Sequence, residues 1–127
     1  MQETHLFEYA VIRVVPRVDR EEFLNVGVIL YCPRPKFLGL RCSQQSDRLL
    51  TLDPKLDLEE LNHHLHALAS IAYGEETGGP IGRLDMPGRF RWLTATRSTI
   101  LQTSKVHPGL CTDPAATLDE LYKKLVL

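Results

Sequence analysis

The sequence has little net charge and no long apolar run, and these two absences exclude several classes of protein. Its 127 residues carry 15 basic and 16 acidic side chains, for a formal net charge of −1. A nearly neutral chain creates no overall field that would attract nucleic acid or a membrane surface. No apolar run approaches the roughly 20 residues that a membrane-spanning helix needs. Residues 1–5 (MQETH) lack the basic start and apolar core of a signal peptide, so we expect a cytoplasmic protein.

Cysteine is scarce, and its arrangement argues against disulfides and metal sites. The three cysteines are an odd number without a CxxC pair, so free thiols in a reducing compartment are expected. If a tight turn joins the strands that carry Cys32 and Cys42, the two thiols point to opposite faces of the sheet. His63 and His66 have the i, i+3 spacing of a metal pair, but both lie opposite the leucine stripe of their predicted helix, which favours a solvated face. We therefore expect no metal and no cofactor.

Catalytic signatures are also missing. Ser98, His107 and Asp113 supply the residue types of a hydrolase triad, but no Gly-x-Ser-x-Gly elbow surrounds the serine. The glycines between positions 74 and 82 form no phosphate-binding loop, because no Gly-Lys-Ser/Thr follows them. Trp92 lacks the aromatic signature of an RNA-binding sheet around it, which favours a core position. The sequence therefore favours a protein that is not an enzyme and does not bind nucleic acid.

The most informative stretch that is present is REEFLNVGVILY at residues 20–31. As a strand it is apolar on both faces, which is typical of a central strand that is covered on both sides. Asn25 and Gly27 interrupt it, although a buried amide must find hydrogen-bond partners and a strand glycine gives up packing. Such exceptions often mark functional or close-packed positions. We therefore predict that Asn25 is buried and hydrogen-bonded through its side chain.

Periodicity and turn signals predict a single α+β domain over residues 1–127. Strands are predicted at 6–15, 22–32 and 36–42, forming an antiparallel meander, with a fourth strand at 99–105. Helices are predicted at 57–73 after an Asp57 cap and at 114–126 after Asp113-Pro114, with a weak turn at 44–50 and a short helix at 87–93. The glycine-rich stretch 75–82 is typical of a mobile surface loop.

These elements predict a mostly antiparallel sheet of about four strands, with the two main helices packed on one of its faces. The predicted core consists of Leu24, Val26, Val28, Leu30, Leu58, Leu61, Leu65, Leu68, Leu118, Leu121 and Leu125. The four residues from the second strand are expected to share one face, because side chains alternate along a strand.

Two blocks of sequence resemble a bacterial protein family. The first is YAVIRVVP at 9–16 followed by RxEFxNVGV at 20–28, and the second is RFRWL at 89–93, RSTILQ at 97–102 and HPGL at 107–110. In this order they resemble the family known as domain of unknown function 3037, over nearly the whole chain. The resemblance implies no established activity. It implies a small stand-alone bacterial protein, often encoded beside a kinase-fold protein similar to the toxin HipA.

Arginines next to small polar residues form the candidate site. Arg13 is predicted in mid-strand, opposite or diagonal to Asn25, where a guanidinium is costly unless it is paired or faces an anion. One interpretation is a pocket for a phosphate or carboxylate, with Gly27 leaving room for close approach. The candidate residues of that pocket are Arg13, Arg20, Asn25, Arg91, Arg97, Ser98 and Thr99. The other interpretation is a structural network in which Arg13 and Arg20 pair with Glu22 and Glu8.

Two functions remain open at this point. The favoured one is a non-enzymatic interaction or accessory module, with a HipA-like kinase as the partner that the resemblance implies. The alternative is a small enzyme or ligand sensor that binds a phosphate- or carboxylate-containing ligand through arginine, asparagine, serine and threonine side chains. The two are distinguished by whether Arg13, Asn25 and Arg97 line an open cleft or close on internal carboxylates.

Overall fold

The computed structural model describes residues 3–43, 45–95 and 99–127 and has an α+β fold built on one antiparallel sheet. Its strands are β1 (His5–Val14), β2 (Leu24–Cys32), β3 (Phe37–Cys42), β4 (Leu101–Thr103) and β5 (His107–Cys111). Its helices are α1 (Ser46–Leu52), α2 (Leu58–Ala72), α3 (Gly79–Gly82), α4 (Met86–Leu93) and α5 (Pro114–Leu125). The predicted fold class and the N-terminal meander are confirmed. None of the described helices is long and apolar enough to cross a membrane.

Strand β1 is the centre of the sheet. It pairs with β2 along one side, and β2 in turn pairs with β3. Its other side is shared by two short strands, because β4 pairs with residues 12–14 and β5 pairs with residues 5–9. Ser104 bridges the break between these two strands: its N–H donates to Val11 O at 2.8 Å, and its Oγ accepts from Val11 N–H at 2.8 Å.

The second half of the chain differs from the sequence prediction in two places. The predicted strand at 99–105 is shortened to Leu101–Thr103, and a fifth strand follows at His107–Cys111. Residue preferences in the sequence do not predict this fifth strand, because Pro108 and Gly109 are both disfavoured in strand interiors. The predicted loop at 75–82 contains a 3₁₀ turn, Glu76–Gly78, and the short helix α3.

Pro108 is tolerated because its nitrogen faces away from β1. Val11 directs its backbone N–H and C=O toward Ser104, and these groups alternate in direction along a strand. Tyr9 therefore directs its own groups to the same side, toward its partner His107. Pro108, the next residue, lies at a position whose nitrogen points outward, so its missing N–H removes a donor from the free edge of the sheet.

At the opposite edge of the sheet, Tyr73 covers one position of the edge strand β3. Its hydroxyl oxygen accepts from Leu40 N–H at 3.1 Å, and the hydroxyl donates to Leu40 O at 3.1 Å. One side chain thus satisfies both outward backbone groups of Leu40 on the edge strand β3. Covering an edge in this way limits pairing with a second chain.

Apolar cores lie on both faces of the sheet, as the doubly apolar pattern of β2 predicts. On one face, here called the α2 face, strand residues such as Ile12, Ile29 and Leu40 pack with Leu61, Leu65 and Phe90 from α2 and α4. On the other face, here called the α5 face, Phe7, Val28, Leu30 and Cys32 pack with Leu118, Tyr122 and Val126. The prediction that both main helices pack on one face was therefore wrong. Because β2 is apolar on both sides, each face needs its own cover.

The predicted core is largely correct in composition. Val26, Val28, Leu30, Leu61, Leu65 and Leu118 are buried, and Leu24, Leu58, Leu68, Leu121 and Leu125 are half-buried. The predicted common face of Leu24, Val26, Val28 and Leu30 was wrong, because Leu24 and Val26 join the core of the α2 face while Val28 and Leu30 join that of the α5 face. The cause is a β-bulge in β2, which shifts the alternation of its side chains.

Side-chain caps begin the main helices where the sequence predicts them. Asp57 accepts from Glu60 N–H at 3.1 Å at the start of α2. Asp113 accepts from the N–H groups of Ala115 and Ala116 at the start of α5. Each carboxylate satisfies backbone donors that a helix leaves unpaired at its N-terminus. The caps set where these helices begin, and the strands decide which face they cover.

Candidate functional site

The β-bulge brings three polar side chains into one row across three strands. In the β1–β2 ladder Ile12 lies opposite Gly27, but the next residue, Arg13, lies opposite Asn25, so Val26 is the extra residue. On the other side of β1, Arg13 lies opposite Gln102 of β4. Directly opposed residues share a face of a sheet. Asn25, Arg13 and Gln102 therefore form a polar row on the α5 face.

Arg13 is half-buried and has no acidic partner among the described residues. Its guanidinium carbon lies 4.1 Å from the centre of the Phe23 ring, which is a cation–π contact. Its Nε is buried and has no hydrogen-bond partner in the described part of the chain. Burial lowers the pKa of Arg13, because desolvation disfavours the charged form. The ion pairs found among the described residues do not include Arg13, so the internal network expected for it does not form there.

The Arg13 side chain lines an open cleft of about 380 Å³, here called the arginine cleft. The other residues that line it are Val15, Val18, Glu21, Phe23 and Gln102. Val18 and Phe23 are each 47% exposed. The cleft thus combines one cation, one carboxylate and an apolar wall.

Glu21 reaches the cleft from a left-handed turn. Its φ is 56°, and its N–H donates to Val18 O at 3.2 Å, closing the 3₁₀ turn Val18–Arg20. A left-handed conformation costs a residue other than glycine roughly 1–2 kcal/mol. Glu21 makes no ion pair among the described residues, so its carboxylate remains available at the rim of the cleft.

Asn25 connects the row to the end of α5. Its Nδ2 donates to Leu125 O at 3.2 Å, and the neighbouring Val126 O accepts from Gln45 Nε2 at 2.9 Å and from Arg48 Nη1 at 3.1 Å. The predicted side-chain hydrogen bond of Asn25 is confirmed, but the residue is half-buried rather than buried as predicted. Its Oδ1 is buried and has no partner among the described residues. A buried donor on Arg13 and a buried acceptor on Asn25 are thus both left open, on residues that face each other.

The other predicted site residues lie elsewhere. Arg20 pairs with Glu22 in the exposed turn before β2, as the structural-network interpretation predicts. Arg91 is exposed on α4, which packs on the α2 face. Thr99 donates its hydroxyl to Leu101 O at 2.6 Å and does not line the arginine cleft. Arg97 and Ser98 lie outside the described residues.

Gly27 has a packing role. A β-carbon at this position would lie 2.7 Å from Arg41 O and 2.7 Å from Cys42 Cβ on the neighbouring strand. Real β-carbons do not approach so closely, so the glycine is needed for the contact between β2 and β3. The space that it leaves faces β3, and the expectation that it makes room for a ligand has no support in this geometry.

Sequence reasoning missed Phe23, Gln102 and Glu21 as members of the site. Phe23 carried a usable signal, because an exposed aromatic two positions before Asn25 shares its face in an extended chain. The sequence gives no such signal for Gln102, because its position opposite Arg13 depends on pairing between strands that lie far apart in sequence.

The thiols and histidines form no comparable site. Cys32, Cys42 and Cys111 are free thiols, and the described residues contain no cluster of three or more potential metal ligands. Burial and the neighbouring Cys111 thiol raise the pKa of Cys32 to about 11, which makes it a poor nucleophile at neutral pH. His64 lies 3.7 Å from Glu60 on the exposed side of α2.

The arginine cleft offers groups that can bind an anion. Its described lining contains no serine, cysteine or histidine, and Glu21 is the one described lining residue that could act as a general base. The residue types of a hydrolase triad are used in other ways: Asp113 caps α5, and the His107 ring lies 5.3 Å from that of Tyr9. A guanidinium in a cation–π contact with an aromatic ring can still present N–H groups to an anion as a planar fork.

A family comparison supports the resemblance seen in the sequence. The family model described as "Protein of unknown function (DUF3037)" matches residues 9–126. The chain belongs to this family. The matched region includes residues 9–14 of β1 together with β2 and β4, and all described members of the arginine cleft fall within it. No curated protein and no solved structure matches the chain.

Proposed function

We propose that this DUF3037 protein is a non-enzymatic binding module that captures a carboxylate or phosphate group in the arginine cleft. The observation that carries the proposal is the half-buried Arg13 guanidinium, which faces an open cleft and has no acidic partner among the described residues. A half-buried cation without a counter-ion has lost part of its hydration, and no opposite charge offsets that loss. An anionic ligand would offset that loss when it binds.

The geometry of Arg13 suits recognition of a planar or tetrahedral anion. The Arg13 guanidinium carbon lies 4.1 Å from the centre of the Phe23 ring, and the planar fork has further N–H groups that can meet a ligand. Carboxylates and phosphates accept two parallel N–H groups from such a fork, and these charge-assisted bonds are among the strongest hydrogen bonds in proteins. Gln102 on the neighbouring strand lines the same cleft and adds an amide.

The exposed apolar wall favours a partner protein as the source of the anion. Phe23 and Val18 lie next to Arg13 and are each 47% exposed. Aromatic residues and arginine are enriched at the cores of protein interfaces, where they combine area with directed hydrogen bonds. The first partner that we propose is a HipA-like kinase encoded beside the protein, since the family resemblance implies such a neighbour. An acidic or phosphorylated side chain of that kinase would enter the cleft.

Free anions provide the first test. The thermal midpoint of the protein is measured in phosphate, sulfate and acetate at fixed ionic strength. A group that binds the cleft raises the midpoint with concentration, because it binds only the folded state. Arg13→Gln should abolish the rise, and Arg91→Gln, an exposed arginine on the opposite face, should leave it unchanged. A rise that survives Arg13→Gln would refute the assignment to this cleft.

Two further variants keep this test interpretable if Arg13→Gln is poorly folded. Arg13→Lys keeps the charge but loses the planar fork, so binding should weaken without loss of the fold. Phe23→Leu removes the ring that orients the guanidinium and should weaken binding in the same direction. Arg97→Ala is also expected to abolish the rise if Arg97 contributes the second fork that the sequence predicts.

The partner is tested separately with purified proteins. The HipA-like kinase is titrated with the wild-type chain, Arg13→Gln and Arg91→Gln in a calorimeter. We expect a complex with the wild type and with Arg91→Gln, and a weaker one with Arg13→Gln. Binding of free anions without binding of the kinase would favour a small-ligand sensor, and binding of the kinase that is insensitive to Arg13 would place the interface elsewhere.

A further inference from the structure

A second cavity lies on the α2 face, on the other side of the sheet from Asn25 and Arg13, and Gln102 of β4 lines both this cavity and the arginine cleft. It has a volume of about 370 Å³ and lies between α2, α4 and β4. Its wall is formed mainly by apolar side chains, namely Ala67, Leu68, Ile71, Trp92, Leu93, Ala95, Ile100 and Leu101. This volume falls within the range of small-molecule sites, which are concave and mostly apolar with a few polar groups.

The polar lining of this cavity consists of His64, Thr99, Gln102 and Thr103. The Thr99 hydroxyl donates to Leu101 O at 2.6 Å, and the Thr103 hydroxyl donates to Thr94 O at 3.4 Å. Each hydroxyl has a single hydrogen, so what these two residues can still offer a ligand is an acceptor lone pair. A ligand that meets them should therefore carry an N–H or O–H donor.

The apolar wall of this cavity favours an uncharged ligand. His64 is the only ionisable residue among the described residues of the cavity, and Glu60 lies 3.7 Å from its Nε2 on the same helix. A ligand carboxylate or ammonium would lie against a wall that is mostly apolar. Burying either charge without a partner is costly.

We propose that this cavity binds a small neutral molecule that consists of an apolar ring and one O–H or N–H donor, as in a phenol. The ring packs among Leu68, Ile71 and Leu93, and the donor points to the threonine oxygens. Arg13 does not line this cavity and Ala67 does not line the arginine cleft, so variants at these two residues test the sites separately even though Gln102 lines both.

Trp92 makes the proposal directly measurable. It is the only tryptophan in the chain and lines the cavity, so its fluorescence reports on occupancy. The protein is titrated with p-cresol and with toluene, which has the same ring and methyl group but no donor. We expect a saturable change for both, with p-cresol binding roughly fivefold more tightly, the value of about one net hydrogen bond.

Matched variants locate the binding. Ala67 is exposed on α2 and lines the cavity, whereas Ala116 is exposed on α5 on the opposite face. Ala67→Leu should fill part of the cavity and weaken p-cresol binding, and Ala116→Leu should not change it. Thr103→Val keeps the shape of the side chain and should remove the preference for p-cresol over toluene.

Three outcomes would overturn the proposal. Equal affinity for p-cresol and toluene would refute the role of the donor. The absence of a saturable change with either compound would show that the cavity does not admit a ligand. Binding that is insensitive to Ala67→Leu would place p-cresol elsewhere on the protein. Circular dichroism of each variant establishes that a loss of binding does not reflect a loss of fold.

Discussion

Arg13 and Asn25 face each other across the β1–β2 ladder, and each keeps one buried polar atom without a partner among the described residues. The two atoms are a donor, Arg13 Nε, and an acceptor, Asn25 Oδ1. The pairing exists because the β-bulge displaces Val26 and turns Asn25 toward the α5 face. The same residue therefore ties the end of α5 to the sheet and borders the arginine cleft.

Asn25→Leu should destabilise the protein by about 1–3 kcal/mol. The substitution removes the donor to Leu125 O at the end of α5. The half-buried Leu125 carbonyl would then have lost this hydrogen bond, and the bond would no longer offset the free energy of desolvating the carbonyl. Urea denaturation measures the change, and Asn62→Leu, at an exposed position on α2, is the control. Equal stability of the two variants would show that the Asn25 bond contributes nothing.

Gly27→Ala should cost more stability than Gly39→Ala. The new methyl group at position 27 would meet the backbone oxygen of Arg41 at 2.7 Å, and at position 39 it would meet the flexible side chains of Phe37 and Leu118 at 2.7–3.0 Å. Backbone cannot yield as side chains do, so we expect a loss of about 1–3 kcal/mol for Gly27→Ala. Thermal or urea denaturation of both variants tests the order, and a reversed order would contradict the packing role of Gly27.

Val28→Ala and Leu65→Ala should each cost about 1–5 kcal/mol through lost burial and a cavity. Val28 belongs to the core of the α5 face and Leu65 to that of the α2 face. Because the sheet separates the two sites, their effects should add in the double variant within about 0.5 kcal/mol. A large departure from additivity in the free energies measured by urea denaturation would show that the two cores are energetically coupled.

Tyr73→Phe should lower stability by about 1 kcal/mol and promote self-association. The phenol hydroxyl satisfies both the N–H and the C=O of Leu40 on the edge strand β3, and its loss removes two hydrogen bonds. It also exposes a strand edge that can pair with a second chain. Light scattering at increasing protein concentration measures the association. Tyr122→Phe tests whether loss of any tyrosine hydroxyl has this effect, and we expect it not to associate.

Stability should fall as the pH rises from about 9 to about 11, in part through Cys32. Burial, with a contribution from Cys111, raises the pKa of Cys32 from 9.0 to about 11. Because the pKa of Cys32 is higher in the folded state, its contribution to stability is fully present at pH values below the unfolded-state pKa. That contribution is lost as the pH rises through the folded-state pKa. Urea denaturation at pH 8 and pH 10.5 should show a smaller loss in Cys32→Ala than in the wild type. An identical loss of stability in Cys32→Ala and in the wild type would exclude Cys32 as a cause of the pH dependence.

Local patterns in the sequence were sufficient for much of the fold. The alternation around Val28 and Ile29 predicts a strand covered on both faces, and Asp57 and Asp113 mark the starts of the two main helices. These features depend on neighbouring residues, which is why a single sequence carries them. The convergence of Arg13 with Asn25 was also accessible, because a short connection between two strands restricts their register.

The tertiary structure decided which side chains share the site and which face each helix covers. The bulge at Val26 reversed the orientation expected for part of β2, and the pairing of β4 with β1 brought Gln102 to Arg13. Pro108 became acceptable in a strand only because its nitrogen faces the free edge. Each of these outcomes depends on contacts between segments that lie far apart in the chain. Alternation and capping are local properties of the chain, whereas register, bulges and edge positions are set by the energy of packing distant strands together.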